Sequence, residues 1–174
     1  EIIHPFLDGN GRLGRMMIPL FLYSKNYLKE PIFYLSEYFE QHREEYYLYL
    51  RNITQENNWQ DWIEFFLKAI IEQSQYNTIK IDEILLLSNK MKHIIQEATK
   101  SQHVSNILDA IFSRPIFTVS TFTKDTQILN KNTANSILKK LVEKNVLQLI
   151  REASGNRGNM YAFRELLDLI DGDE

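Results

Sequence analysis

The residues best suited to chemistry stand together near the start of the chain: His4-Pro5-Phe6-Leu7-Asp8-Gly9-Asn10-Gly11-Arg12-Leu13-Gly14-Arg15. Gly9 and Gly11 let the backbone turn tightly and bring N–H groups close to an anion, and a helix starting here offers its positive end to the same place. Arg12 and Arg15 are three apart, hence on one face of the first helical turns. Two cations there oppose the helix dipole at about 0.3–1 kcal/mol each, a sign that a polyphosphate would reverse. Asp8 is a lone carboxylate beside this cradle. It suits a Mg²⁺ ion that phosphates also coordinate, because Mg²⁺ takes one or two protein carboxylates and keeps waters. A histidine exchanges protons near neutral pH, so His4 is placed to take one from a hydroxyl.

Such a loop needs elements to hold it. Residues 12–28 (RLGRMMIPLFLYSKNYL) are too apolar for a solvent-facing helix and too long for a strand, which predicts a buried helix kinked at Pro19. Lys29-Glu30-Pro31 is a break. Ser36 is the expected N-cap of a helix running to about Ile53 and rich in aromatics, Tyr46 and Tyr47 among them. Asn57 or Asn58 then caps a helix carrying Trp59, Trp62, Ile63, Phe66 and Ile70 at helical spacing. A separate long amphipathic helix is expected from about Ile79 to Lys100, its apolar stripe serving packing or pairing with a second copy in a homodimer.

After Lys100 the pattern changes. Helical spacing over Val104–Phe112 stops at Arg114-Pro115, Ser120–Ile128 reads as a short second helix, and Asn130 or Asn132 caps a third that carries Ala134, Ile137, Leu138, Leu141 and Val142 inward. Two strand-like runs, VLQLIRE and MYAF, follow, joined by the turn-rich ASGNRGN. Helix, helix-turn-helix and hairpin form a winged-helix pattern. The expected fold class is mainly α, with domains over residues 1–76 and 101–174 and a connecting helix over 77–100.

From Lys124 to Arg164 there are eight Lys or Arg against three acids, a local excess of +5 in a chain of net charge −3. Lys131, Asn132, Thr133 and Asn135 open the third helix and Arg157 sits at the wing tip, where a module reading a DNA groove carries its contacts. Docking on other protein surfaces is the alternative use of this module.

Composition removes other classes. With 174 residues, 44% hydrophobic and 25% charged, the chain is long enough for one large domain or two small ones. The absence of Cys excludes disulfides, zinc ribbons, iron–sulfur sites and thiol nucleophiles. His42, His93 and His103 are scattered and read as structural. Without an apolar run of about eighteen residues, the expectation is a cytoplasmic protein with no membrane partner. Neither an initiator Met nor a signal peptide precedes Glu1-Ile2-Ile3, which predicts a chain truncated at its N-terminus.

The motif resembles that of the Fic family, His-Pro-Phe-x-(Asp/Glu)-Gly-Asn-Gly-Arg-x-x-Arg, matched here at every fixed position over residues 4–15. The Pro19 helix, Pro31-Ile-Phe-Tyr-Leu-Ser36 and His42-Arg-Glu-Glu-Tyr-Tyr47 extend the likeness to about residue 75, and many bacterial members carry a C-terminal winged helix. The resemblance implies protein adenylylation: transfer of AMP from ATP to a Tyr, Thr or Ser hydroxyl of a target protein, with release of pyrophosphate. By that likeness His4 is the general base and Asp8 holds Mg²⁺. Gly9, Asn10, Gly11, Arg12, Gly14 and Arg15 bind the ATP phosphates, Tyr46 and Tyr47 lie near the nucleoside, and Phe6 plugs the motif into the core. Relatives of the Doc kind have Lys where this chain has Gly11 and transfer a phosphoryl group, so Gly11 favours AMP transfer. Members are often restrained by a helix whose Glu meets the second motif arginine, here Arg15. Ser36 to Glu40 has that helix's spacing but reads as coincidence. The alternatives are a DNA-binding regulator with a nucleotide-sensing site, and AMP removal by the same residues.

Overall fold

The computed structural model of the chain describes residues 4–155 and 157–171. Its architecture is mainly helical with one small antiparallel sheet, and it divides into two compact units, residues 1–77 and 78–174.

In the first unit, α1 (Asn10–Ser24) starts where Gly9 adopts a left-handed conformation at φ 82°, and it continues through a buried Pro19. It is not the buried helix that its composition predicts. Leu13, Met16, Met17, Leu20 and Phe21 are exposed, and Ile18 packs on the unit's core. That core belongs to α2 (Ser36–Gln41), α3 (Arg43–Glu56) and the beginning of α4 (Trp59–Thr99): Leu35, Tyr38, Phe39, Tyr46, Phe65 and Ala69 are buried together. Its centre is aromatic, with Phe39 4.9 Å from Tyr46 and 6.0 Å from Phe65 between ring centroids, distances at which ring pairs attract beyond their buried area.

The single helix expected from Ser36 to Ile53 is two, broken at His42, whose φ −110° and ψ 38° leave helical space. The His42 ring stacks on Tyr38 at 4.1 Å, and its Nδ1 is 3.0 Å from the Tyr38 carbonyl oxygen. Ser36 is the first helical residue and not the cap; Leu35 holds the cap position without a side-chain bond. Asn58 does cap α4, its Oδ1 accepting from the Asp61 N–H at 3.4 Å, while Asn57 closes α3 in a left-handed conformation. The break expected near residue 77 is absent, and α4 runs unbroken for 41 residues. No Gly or Pro interrupts it. Its polar residues bond within the helix, Ser74 Oγ donating to the Ile70 carbonyl at 2.6 Å and Gln73 Nε2 to Asn77 Oδ1 at 3.1 Å.

The second unit packs the rest of α4 with α5 (Val104–Ser113), β1 (Ile116–Thr118), α6 (Val119–Thr126), α7 (Lys131–Glu143), β2 (Gln148–Arg151), β3 (Met160–Ala162) and α8 (Arg164–Asp171). Met91, Ile95, Ile107, Ile111, Phe122, Leu138, Leu141, Phe163 and Leu166 form a closed core. Asn130 caps α7, its Oδ1 accepting from the N–H groups of Asn132 at 2.9 Å and Thr133 at 3.3 Å. Strand order is β1-β3-β2, all antiparallel, with Phe117 and Leu149 both opposite Tyr161. Strand β1 has no counterpart in the sequence reading. Among the described residues no helix is long and apolar enough to cross a membrane.

Candidate functional site

The motif loop is held by bonds between near neighbours. Asn10 is buried, and its carboxamide clamps Phe6 from both sides, Oδ1 accepting from the Phe6 N–H at 3.0 Å and Nδ2 donating to the Phe6 carbonyl at 2.6 Å. This closes the loop ahead of α1. One Nδ2–H and the Oδ1 of Asn10 are thereby engaged, which leaves its second Nδ2–H and its backbone N–H as the donors able to face an anion. Phe6 itself does not plug the motif into a core. Its ring is 58% exposed, because only its backbone is gripped.

Asp8 Oδ1 accepts from the Gly9 N–H at 2.6 Å, and Oδ2 stands 3.4 Å from Arg12 Nη2. Both side chains are solvent-exposed, so the pair contributes little to stability. It does orient a carboxylate and a guanidinium at the start of a helix whose first turn carries no acid. Gly9 is required here, since φ 82° strains any residue with a Cβ. His4 opens the loop, exposed and at φ 42°, an uncommon conformation for a non-glycine residue.

The first unit brings the two motif arginines together with the paired tyrosines. Arg12, Arg15, Ser36, Phe39, Glu40, Arg43, Tyr46 and Tyr47 line one hollow of about 340 Å³. Tyr46 and Tyr47 are consecutive on α3, about 100° apart around its axis. Tyr46 accordingly joins the core at 6% exposure, while Tyr47 stands in the open at 51%, its ring edge-on to Tyr46 at 5.4 Å. His4, Asp8, Gly9, Asn10, Gly11 and Gly14 are not in this lining. Three arginines face one carboxylate, so the hollow is electropositive. Among the described residues Arg15 has no ion-pair partner.

Sequence reasoning missed Arg43, which sits 3.4 Å from Glu40 and 5.8 Å from the Tyr47 ring centre in a cation–π contact. The only signal was its place between His42 and the tyrosines, which does not say which way it points. Ser36 and Glu40, read as a chance match to an inhibitory pattern, both line the hollow. Glu40 pairs there with Arg43 and makes no ion pair with Arg15.

A second hollow of about 210 Å³ lies among Glu37, Tyr38, Gln41, His42, Glu72, Gln73 and Tyr76. The Tyr38 hydroxyl is buried there with no hydrogen-bond partner among the described residues. Burial, then the charges of Glu72 and Glu45, then the Glu72 side chain standing near the hydroxyl as an acceptor though outside normal hydrogen-bond geometry, push its pKa up from the ordinary 10.0.

In the second unit, Lys131, Asn132, Thr133 and Asn135 are exposed along the first turns of α7. Arg157 is exposed in the β2–β3 connection, where it bridges Ser154. No group of three or more His, Asp or Glu able to hold a metal ion occurs among the described residues. The lone carboxylate of Asp8 fits an ion held chiefly by substrate phosphates and water. Compared with known families, the chain matches the sequence model of the Fic/DOC family over residues 1–22, a segment that covers the motif loop and most of α1.

Proposed function

We propose that this chain carries the nucleotide-handling site of a protein adenylyltransferase, using ATP as substrate and a hydroxyl of a target protein as acceptor. The observation that carries this reading is the hollow that gathers Arg12 and Arg15, the two arginines of the motif, with Tyr46 and Tyr47. A polyphosphate is the natural complement of two arginines at a helix start, and an aromatic wall is the complement of a base. Gly11 in place of a lysine favours AMP over phosphoryl transfer by the family likeness.

In this reading the imidazole of His4 takes the proton of the acceptor hydroxyl as its oxygen attacks the α-phosphorus. The new O–P bond forms, the bond from the α-phosphorus to the bridging oxygen breaks, and pyrophosphate leaves with the electron pair. Arg12 and Arg15 stabilise charge on the departing phosphates, and backbone N–H groups at Gly9 to Gly11 hold the remainder. Asp8 would hold Mg²⁺, which supplies further charge neutralisation when bound. Asn10 acts through the loop, keeping those N–H groups in place by its grip on Phe6.

The test is label transfer to the proteins of a bacterial extract, and to the chain itself, from ATP labelled at the α- or the γ-phosphate. The expected result is α-label transfer, reduced by a factor of about 100 or more in His4→Ala, as removal of a general base requires, with ATP binding retained. Transfer of γ-label would overturn AMP transfer in favour of phosphoryl transfer. Absence of His4-dependent label from either would overturn the enzymatic reading.

A further inference from the structure

We infer that the second unit binds duplex DNA through the outer face of α7 and the β2–β3 wing. The inference is independent of the nucleotide site and begins with unspent charge. Of the eight cations between Lys124 and Arg164, Lys139 holds an ion pair, with Glu143 at 4.0 Å, and Arg164 donates to Gln148 Oε1 at 2.9 Å. Lys124, Lys131, Lys140, Lys144, Arg151 and Arg157 have no ion-pair partner among the described residues. Two of the three local acids are engaged, Asp125 with Arg114 at 3.8 Å and Glu143 with Lys139, which leaves Glu152 against these six cations without an ion pair. A surface with such an excess of uncompensated cations is complementary to a polyanion.

Geometry narrows the polyanion. Helices α6 and α7 are joined by the four residues Gln127–Asn130, the turn length of a helix-turn-helix. The inner face of α7 is fixed to the core by Ala134, Ile137, Leu138 and Leu141. Its outer face therefore presents Lys131, Asn132, Asn135, Ser136, Lys139 and Lys140 to solvent in a fixed orientation. Beside it lies an open hollow of about 430 Å³ where Ser101 and Thr99 stand across from Asn132, Thr133, Ser136 and Lys140, so polar side chains of α7 border open space. A helix of 13 residues is about 20 Å long and fits the major groove of B-form DNA, with Asn132 and Asn135 able to address base edges. The deep, narrow major groove of RNA duplexes would refuse it. Arg157, at the exposed turn that follows Gly155 at φ 56°, suits a phosphate contact from the wing.

The experiment is fluorescence anisotropy of the full chain with a labelled DNA duplex of about two helical turns, and with an RNA duplex of the same length, over a series of KCl concentrations. Duplex DNA is expected to bind at least about tenfold more tightly than the RNA. Lys131→Gln, Lys140→Gln and Arg157→Gln should each lower the slope of log affinity against log salt by about 1, as loss of one phosphate contact does. These are surface positions, and circular dichroism checks that the variants fold. Lys68→Gln, a change in the first unit, and His4→Ala should leave binding unaltered. No binding at low salt, equal or tighter binding of the RNA, or an unchanged slope in all three variants would each overturn the inference. Base preference lost in Asn132→Ala and Asn135→Ala, with the salt slope retained, would extend it to sequence readout.

Discussion

In the C-terminal unit every residue on the inner face of α7, from Ala134 to Leu141, is buried, and the exposed face is polar; in the N-terminal unit α1 leaves Leu13, Met16, Met17, Leu20 and Phe21 in the open. The first arrangement positions its functional face by core packing, so geometry at Lys131 or Asn135 is inherited from apolar contacts on the other side of the same helix. The second positions its loop by neighbour-to-neighbour bonds: Asn10 to Phe6, Asp8 to Gly9, and the left-handed turn at Gly9. The lesson is that the two candidate surfaces should fail in different ways. Damage to the α7 side is damage to a fold, whereas damage to the loop is damage to a geometry that the rest of the fold survives.

The largest expected stability change tests the first half of that contrast. Leu138 is fully buried at the centre of the second core. Leu138→Ala should cost about 2–5 kcal/mol, from lost transfer energy and the cavity left behind. Urea unfolding followed by circular dichroism gives the value. Fluorescence of Trp59 and Trp62, the only tryptophans and both in the first unit, should keep its native spectrum under conditions where the α7 amides have lost protection from exchange. A loss below about 1 kcal/mol would mean that this core is not what fixes α7.

Asn10→Ala is the counterpart in the loop. It removes two hydrogen bonds and strands the Phe6 backbone groups, a local cost of about 1–3 kcal/mol, worth about a tenfold loss or more in any activity that needs the loop closed. Global unfolding should hardly move, because the loop ahead of α1 adds little to either core. If Asn10→Ala lowers the urea midpoint as much as Leu138→Ala does, the contrast between the two units is wrong.

The same difference explains what the sequence made legible. In the second unit the 3.6-residue spacing of Ala134, Ile137, Leu138 and Leu141, with Asn130 as cap, led directly to α7, because packing and capping leave periodic traces. Strand β1 left none. Three residues are too few for a period, and what makes Ile116–Thr118 a strand is its pairing with β3, some forty-five residues later. In the first unit the motif was readable as a string, but periodicity alone put α1 in a core and joined α2 to α3. The first error arose because an apolar composition says what a helix can bury, not what it meets. The second arose because no Gly, Pro or side-chain cap announces the turn out of helical space at His42. That Arg43 and Glu40 would share a hollow with Arg12 and Arg15 depended on that same break, so it was beyond the reach of spacing arguments.

The smallest expected change concerns Tyr38, a core residue of the first unit that is 4% exposed yet keeps an unpartnered hydroxyl. A buried hydroxyl without a partner costs about 1–3 kcal/mol, so Tyr38→Phe should be no less stable than the parent at neutral pH and up to about 1 kcal/mol more so, while the stack on His42 is kept. The pH dependence separates this from simple packing. Burial and the nearby Glu72 and Glu45 raise the folded-state pKa above 10.0, so the folded protein holds the neutral phenol more tightly than the unfolded chain does. Below pH 10 both states are protonated and Tyr38 adds no slope. Above it the unfolded chain loses the proton first, and stability falls as pH rises toward the folded-state value. Urea midpoints taken on both sides of pH 10 should therefore fall less steeply for Tyr38→Phe than for the parent. A variant that is less stable at neutral pH by more than about 1 kcal/mol would mean that the hydroxyl finds a bond in solution, with Glu72 the nearest acceptor by its charge.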